Sequence, residues 1–128
     1  MRSSISLAVL LVLSMGRGQA ADPDPAAIAY FEKQVRPLLV EHCQGCHSVK
    51  TKKTSGGLAL DSREAILTGG DSGPAVVPGK PEKSLLVSAV HGTKADFQMP
   101  PAPKGKLRAA QIAVLETWIR DGPFIPPA

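Results

Sequence analysis

Cys43-Gln44-Gly45-Cys46-His47 places two thiols two residues apart, with an imidazole directly after the second. Cys-x-x-Cys-His is the attachment motif of a c-type haem. Each thiol can add to one vinyl group of the same porphyrin, and the adjoining histidine is then held beneath the iron as an axial ligand. The chain has 2 cysteines in all, so this chemistry uses both and leaves no spare thiol. Three other chemistries draw on the same residue types. A thioredoxin-like redox pair needs a βαβ context, which the sequence pattern lacks. Tetrahedral zinc would combine Cys43 and Cys46 with one of His42, His47 and His91, but no second Cys/His pair has the usual spacing. A Cys43–Cys46 disulfide leaves His47 without a role. The motif therefore predicts one covalently attached haem c per chain, bound by Cys43 and Cys46, with His47 on the iron.

Such an iron takes a second protein ligand or keeps an open position for a substrate. His42 adjoins Cys43 and reads as a surface residue. Met99 lies in Gln98-Met99-Pro100-Pro101 and is the only methionine left once an N-terminal leader is set aside. Methionine is more often core filler than ligand, yet the prolines fix φ and would hold this thioether in a rigid, extended segment. Met99 is the favoured sixth ligand, with His91 and an open iron as the rival arrangements.

Short helices separated by turns must position these groups. Asp24-Pro25 is a helix start, and Ile28, Phe31, Val35, Leu38 and Leu39 follow at helical spacing. Pro37 falls inside that pattern and predicts a kink or an early end. Ser62 caps a second helix to Thr68, closed by Gly69-Gly70. A third runs from Pro81 to Val90 with Leu85, Leu86 and Val90 inward. The last runs from about Arg108 to Arg120, with Ile112, Leu115 and Ile119 on one face and Gly122-Pro123 stopping it. Turns are expected over Lys50 to Gly57, Gly69 to Pro74, Pro78-Gly79 and Met99 to Gly105. No alternating β-branched run is long enough to suggest a sheet. The expected fold is all-α, with the first and last helices packed together and Trp118 against Phe31.

The first twenty residues read as an export signal. Met1-Arg2 gives a positive start, Ile5 to Met15 is an apolar stretch, and Gly18-Gln19-Ala20 supplies the small residues of a cleavage site. The apolar stretch is shorter than the roughly 20 residues a spanning helix needs, although an uncleaved anchor is the rival reading. No cysteine precedes Cys43, so none is available for lipid attachment at the cleavage site. The expected organisation is a signal peptide over 1–20 and one domain over 21–128, periplasmic or otherwise exported, with no membrane span in the mature part. Lys and Arg number 15 against 11 acids; without Arg2 and Arg17 the mature chain carries +2, too little for a nucleic-acid footprint. Two cysteines also cannot build a multi-disulfide scaffold. The remaining 108 residues, with five aromatics, form a small core that a cofactor would help to stabilise.

Seven segments together resemble the planctomycete-type cytochrome c domain, within the class of small soluble cytochromes c. Val35-Arg36-Pro37-Leu38-Leu39 precedes the CQGCH motif, and Gly57-Leu58-Ala59-Leu60-Asp61-Ser62-Arg63 and Gly69-Gly70-Asp71-Ser72-Gly73-Pro74 follow it. Pro78-Gly79-Lys80-Pro81-Glu82-Lys83-Ser84-Leu85-Leu86, Met99-Pro100-Pro101 and Trp118-Ile119-Arg120-Asp121-Gly122 complete the set. The resemblance implies short helices wrapped around one covalent haem, thioethers at Cys43 and Cys46, His47 as proximal ligand and Met99 as distal ligand. Domains of that family often occur joined to larger ones; any such partner of this chain is expected to be a separate molecule. The functional expectation is a monomeric electron carrier serving a redox protein partner, not an enzyme. A haem enzyme or gas sensor with an exchangeable sixth site is the alternative, and a haem-bearing docking module for a separate enzyme a third. Arg63 could neutralise a haem propionate or simply be solvated. Lys50, Lys52, Lys53, Lys104 and Lys106 could ring the haem edge, though such charge runs are more often solvated loops.

Overall fold

The computed structural model describes residues 22–93 and 96–127, and the expected leader lies outside the described residues. Helix α1 (Pro25–Tyr30) begins at the predicted signal: the Asp24 carboxylate accepts from the Ala26 N–H at 2.9 Å, and Pro25 occupies a position where an N–H would have no partner. Pro37 does not end the helix. The chain passes through a π-turn, Phe31–Val35, directly into α2 (Arg36–His42). In that wider turn the Arg36 N–H reaches back five residues to the Phe31 carbonyl. A proline in a regular helix lacks one donor and presses its ring on the carbonyl four residues earlier; here the turn just before it is the one that departs from regular α geometry.

The all-α expectation is corrected by a small antiparallel sheet. Strand β1 (His47–Ser48) pairs with β2 (Lys53–Thr54), His47 opposite Thr54 and Ser48 opposite Lys53. An isolated bridge also joins Gly70 and Gly73. Strands of two residues carry no alternation for a sequence reading to detect. This pair is made by its turn instead: the Lys52 N–H bonds the Val49 carbonyl at 3.0 Å, and Lys52 itself adopts φ 56°. The expected turn over Lys50 to Gly57 therefore contains a strand and a single 3-10 turn, Ser55–Gly57.

Helix α3 (Arg63–Thr68) forms as predicted, with Ser62 Oγ accepting from the Ala65 N–H at 3.1 Å. Gly69 closes it at φ 77°, and a Cβ there would overlap the Gly73 carbonyl oxygen, so only glycine fits. The predicted third helix is split into a 3-10 turn (Pro81–Lys83) and α4 (Leu85–His91). Ser84 makes the break. It is fully buried, its Oγ donates to the Lys80 carbonyl at 2.9 Å and accepts from the Val77 N–H at 2.9 Å. Helix α5 (Ala109–Arg120) is entered through the Arg108 N–H, which donates to Gln111 Oε1 at 2.8 Å.

The first and last helical segments share the core, as expected. Val35, Leu39, Leu115 and Ile119 are at most 1% exposed. Trp118 packs on Phe31 with ring centroids 5.8 Å apart, and Phe124 meets the same ring edge-on at 6.2 Å. Both polar tips are satisfied: Trp118 Nε1 donates to the Phe124 carbonyl and Tyr30 Oη to the Val114 carbonyl. Ile28, expected on the inner face, instead lies exposed at 38%. Phe31→Ala should cost about 3–5 kcal/mol of unfolding free energy, the usual loss for a buried aromatic, read from guanidinium denaturation. A loss below about 1 kcal/mol would mean the ring is not a keystone of this core.

Candidate functional site

Helix α2 delivers the two cysteines by the way it ends. The Leu39 carbonyl accepts from both the Cys43 and Gln44 amides, at 3.0 and 2.8 Å. A second tight turn follows, in which the Cys43 carbonyl accepts from the Cys46 and His47 amides at 3.1 and 3.0 Å. Gln44 Nε2 donates to the Leu60 carbonyl at 3.1 Å and ties this loop to the segment beyond the hairpin. Both thiols are free and both line one cavity of about 260 Å³. Burial pushes the Cys43 thiol up to about 11, opposed by the nearby Lys104 ammonium. A thiol so far from ionisation at neutral pH is a poor redox-exchange nucleophile.

His47 lines the same cavity and is buried. Its Nδ1 lies 3.2 Å from the Leu58 carbonyl oxygen. A carbonyl only accepts, so Nδ1 carries the proton and Nε2 is the nitrogen with a lone pair for a metal. The main chain reinforces this orientation, because the Leu60 N–H donates to the His47 carbonyl at 2.9 Å. Orienting one imidazole nitrogen through a bond to the other is how metal-ligating histidines are generally held.

The hairpin that carries His47 is clamped from below by Asp61. Its carboxylate accepts from Ser48 Oγ at 2.6 Å and from the Val49 and Lys50 amides at 3.1 Å each. Burial works against the charged form, but these donors outweigh it and hold the Asp61 carboxyl below its ordinary value.

Across the cavity stand Leu86, Ala89 and Val90 of α4, with Phe97, Met99 and Pro100 above them. Met99 is half-buried, and its N–H donates to the Ala89 carbonyl at 2.9 Å. The structure thus brings Cys43, Cys46, His47 and Met99 to one largely apolar cavity. His91, the rival ligand, is outside its lining: the ring is exposed and Nε2 lies 2.6 Å from Glu116 Oε1. Arg63 is exposed on α3 and also outside the lining, as are Lys50, Lys52, Lys53 and Lys106. Of the five lysines only Lys104 lines the cavity, and Gly45 is its neighbour at the rim.

His42 departs from its expected surface position. It lines the cavity rather than the outer surface, and its Nε2 is buried without a hydrogen-bond partner among the described residues. The Glu41 carboxylate lies 3.8 Å away, too far for a hydrogen bond. Helical phase was the available signal: His42 falls three residues after buried Leu39, on the same face of α2.

Among the described residues no group of three or more His, Cys, Asp and Glu side chains could hold a metal ion, and the two strands are an antiparallel hairpin rather than part of a βαβ unit. Also among the described residues, no helix is long and apolar enough to cross a membrane.

A largely apolar cavity with two thiols, an oriented imidazole and a thioether, plus one buried ring nitrogen without a partner among the described residues, fits a covalently held metalloporphyrin. Comparison with known proteins points to the class: residues 43–103 match the family model of planctomycete cytochrome C, which supports a planctomycete-type cytochrome c domain over that segment. No curated protein and no solved structure matches the chain. A cytochrome c domain implies haem c as the cofactor, and points to an electron carrier rather than an enzyme.

The Asp61 clamp has a pH signature. A carboxyl held below its unfolded value stabilises the fold above the ordinary carboxylate range, and that contribution is lost as pH falls through the lowered folded value. Asp61→Asn should therefore lower the unfolding midpoint at pH 7 and narrow its gap from the parent protein as pH drops below about 4. Parallel curves from pH 7 to 3 would show that Asp61 does not clamp the hairpin.

Proposed function

We propose that this chain is an exported monohaem cytochrome c that carries single electrons between redox proteins. Cys43 and Cys46 hold the porphyrin through thioethers, and His47 Nε2 and the Met99 thioether are the two iron ligands. The observation that carries this reading is the His47 Nδ1–Leu58 carbonyl bond, which commits the other ring nitrogen as the one with a lone pair in a cavity whose lining also contains both thiols and Met99. When bound, the haem supplies a one-electron ferric/ferrous couple, and a thioether opposite a histidine raises its potential.

The chain's own residues supply what the group cannot. Leu58, Leu60, Leu86 and Val90 give the cavity an apolar lining that would exclude water around a bound haem. With His47 and Met99 both ligating, the iron would have no position left for a substrate, which is what would separate a carrier from a haem enzyme or gas sensor. Gly45 and Cys46 are exposed at the rim, so electrons would enter and leave at that edge. Lys104 beside it favours a partner with acidic groups, through long-range attraction that weakens with salt. The apolar leader over residues 1–20 supports export, where haem attachment to a thiol pair takes place away from the reducing cytoplasm.

Absorption spectra of the protein from a haem-attaching host, oxidised and reduced, test this directly. Sharp reduced c-type bands and a weak methionine–iron band at the red edge of the oxidised spectrum are expected. Met99→Ala should abolish that weak band, lower the potential and open the iron to carbon monoxide. An unchanged spectrum would dismiss Met99 as ligand. Absence of haem from the parent protein, in a host that attaches it to a control cytochrome, would dismiss the proposed function.

A further inference from the structure

A thioether is a neutral, weakly held ligand on a flexible side chain, so its position depends on how firmly its own backbone is fixed. That backbone is unusually short of donors here. Pro100 and Pro101 follow Met99 directly and neither has an N–H, so ordinary amide pairing cannot hold this stretch. Among the described residues two bonds hold Met99 itself, while the Lys104 N–H donates to the Pro101 carbonyl at 3.0 Å further on. The Met99 N–H donates to the Ala89 carbonyl at 2.9 Å, and the Met99 carbonyl accepts from Gln98 Nε2 at 3.1 Å.

Gln98 is itself seated by the end of α4. Gly92 caps that helix in the left-handed conformation, φ 65° and ψ 36°, with its N–H on the Ser88 and Ala89 carbonyls, both at 3.1 Å. The Gln98 amide lies against the bare Cα of Gly92: a Cβ there would overlap Oε1 and come within 2.9 Å of Cδ. The Ala89 carbonyl thus receives both the helix cap and the Met99 amide. Cap, carbonyl and amide side chain form one seat at the C-terminal end of α4.

We propose that Gln98, seated on Gly92, is the positioning residue that clasps Met99 in its ligating place; this rests on the reading of Met99 as the sixth ligand. Gln98 touches no iron. Its amide donor fixes the Met99 carbonyl and so restricts where the thioether can swing, while Gly92 supplies the space the amide needs.

Gln98→Glu tests this most sharply. It keeps the length and shape of the side chain but replaces the donor with a carboxylate oxygen facing the Met99 carbonyl. Haem content should stay at the parent level. The methionine–iron band should weaken, and carbon monoxide should bind the reduced protein about three- to tenfold faster, the scale expected for losing one such hydrogen bond. Gln98→Ala should act in the same direction. Gly92→Ala should do so too, by displacing the amide, but should add nothing to carbon monoxide binding once Gln98 is already alanine. A protein destabilised without loosening of the ligand would show a lower unfolding midpoint with band and binding rate unchanged, which would overturn the clasp. Met99→Ala keeps the two levels apart: if it changes the band and both Gln98 variants do not, the clasp alone falls. If Met99→Ala changes nothing, the ligand assignment falls and the clasp with it.

Discussion

Once the Nδ1 proton of His47 is engaged by the Leu58 carbonyl, the imidazole can present only Nε2, and only toward the cavity. Much of the N-terminal half exists to keep that bond in place. Leu58 reaches His47 because the chain doubles back through the β1–β2 hairpin, and the hairpin keeps its shape because Asp61 gathers one hydroxyl and two amides of its turn. Leu60 adds a main-chain bond to His47 and receives Gln44 from the loop between the cysteines. These contacts are individually modest, about 1 kcal/mol each, but they converge on one ring. Their common effect is orientation, which a metal ligand needs more than it needs tight binding to its own scaffold.

The opposite wall is built on another principle. It comes from α4, whose inward side chains are aliphatic and whose last turn provides the polar groups that anchor the Met99 segment. One side of the cavity is therefore set by hydrogen bonds around a buried ring, and the other by packing plus a helix end. The aromatic contact of Phe31 with Trp118 and Phe124 fixes the π-turn that leads into α2 against α5, and α5 also packs on α4. Both walls are referred to the same core, which is how residues far apart in the chain come to face one cavity.

The sequence disclosed the parts of this arrangement that obey local rules. Asp24 and Ser62 act as caps, Gly69 ends its helix, and Phe31 meets Trp118, each from patterns of a few residues. The four residues singled out for haem all come to one cavity because each lay in a motif with its own chemistry. What escaped were features made by tertiary geometry. Two-residue strands have no periodicity, so the sheet was invisible and the fold was read as all-α. Ser84 looked like a helix residue because its buried bonds to Val77 and Lys80 involve chain the helix does not contain. His42 was assigned to the surface from its adjacency to Cys43, when its helical phase with Leu39 pointed inward. Ile28 matched the apolar repeat but lies before the π-turn, where the buried face has not yet been reached.

That π-turn governs more than the passage of Pro37. Phe31, Val35 and Leu39 are all buried and spaced four apart, an interval that advances about 40° around a regular α-helix at each step. The wider turn between the first two removes part of that drift, so all three meet the same core. It acts as a phase adjuster: the azimuth at which α2 leaves this turn is the azimuth at which the Cys43 thiol arrives. Lengthening or shortening the segment by one residue would rotate everything downstream by about 100°, carrying the cysteine loop off the cavity while every hydrogen bond of α2 stayed intact. The Cys-x-x-Cys-His motif thus depends on a turn, Phe31–Val35, that lies upstream of it and shares no chemistry with it, only a helix axis.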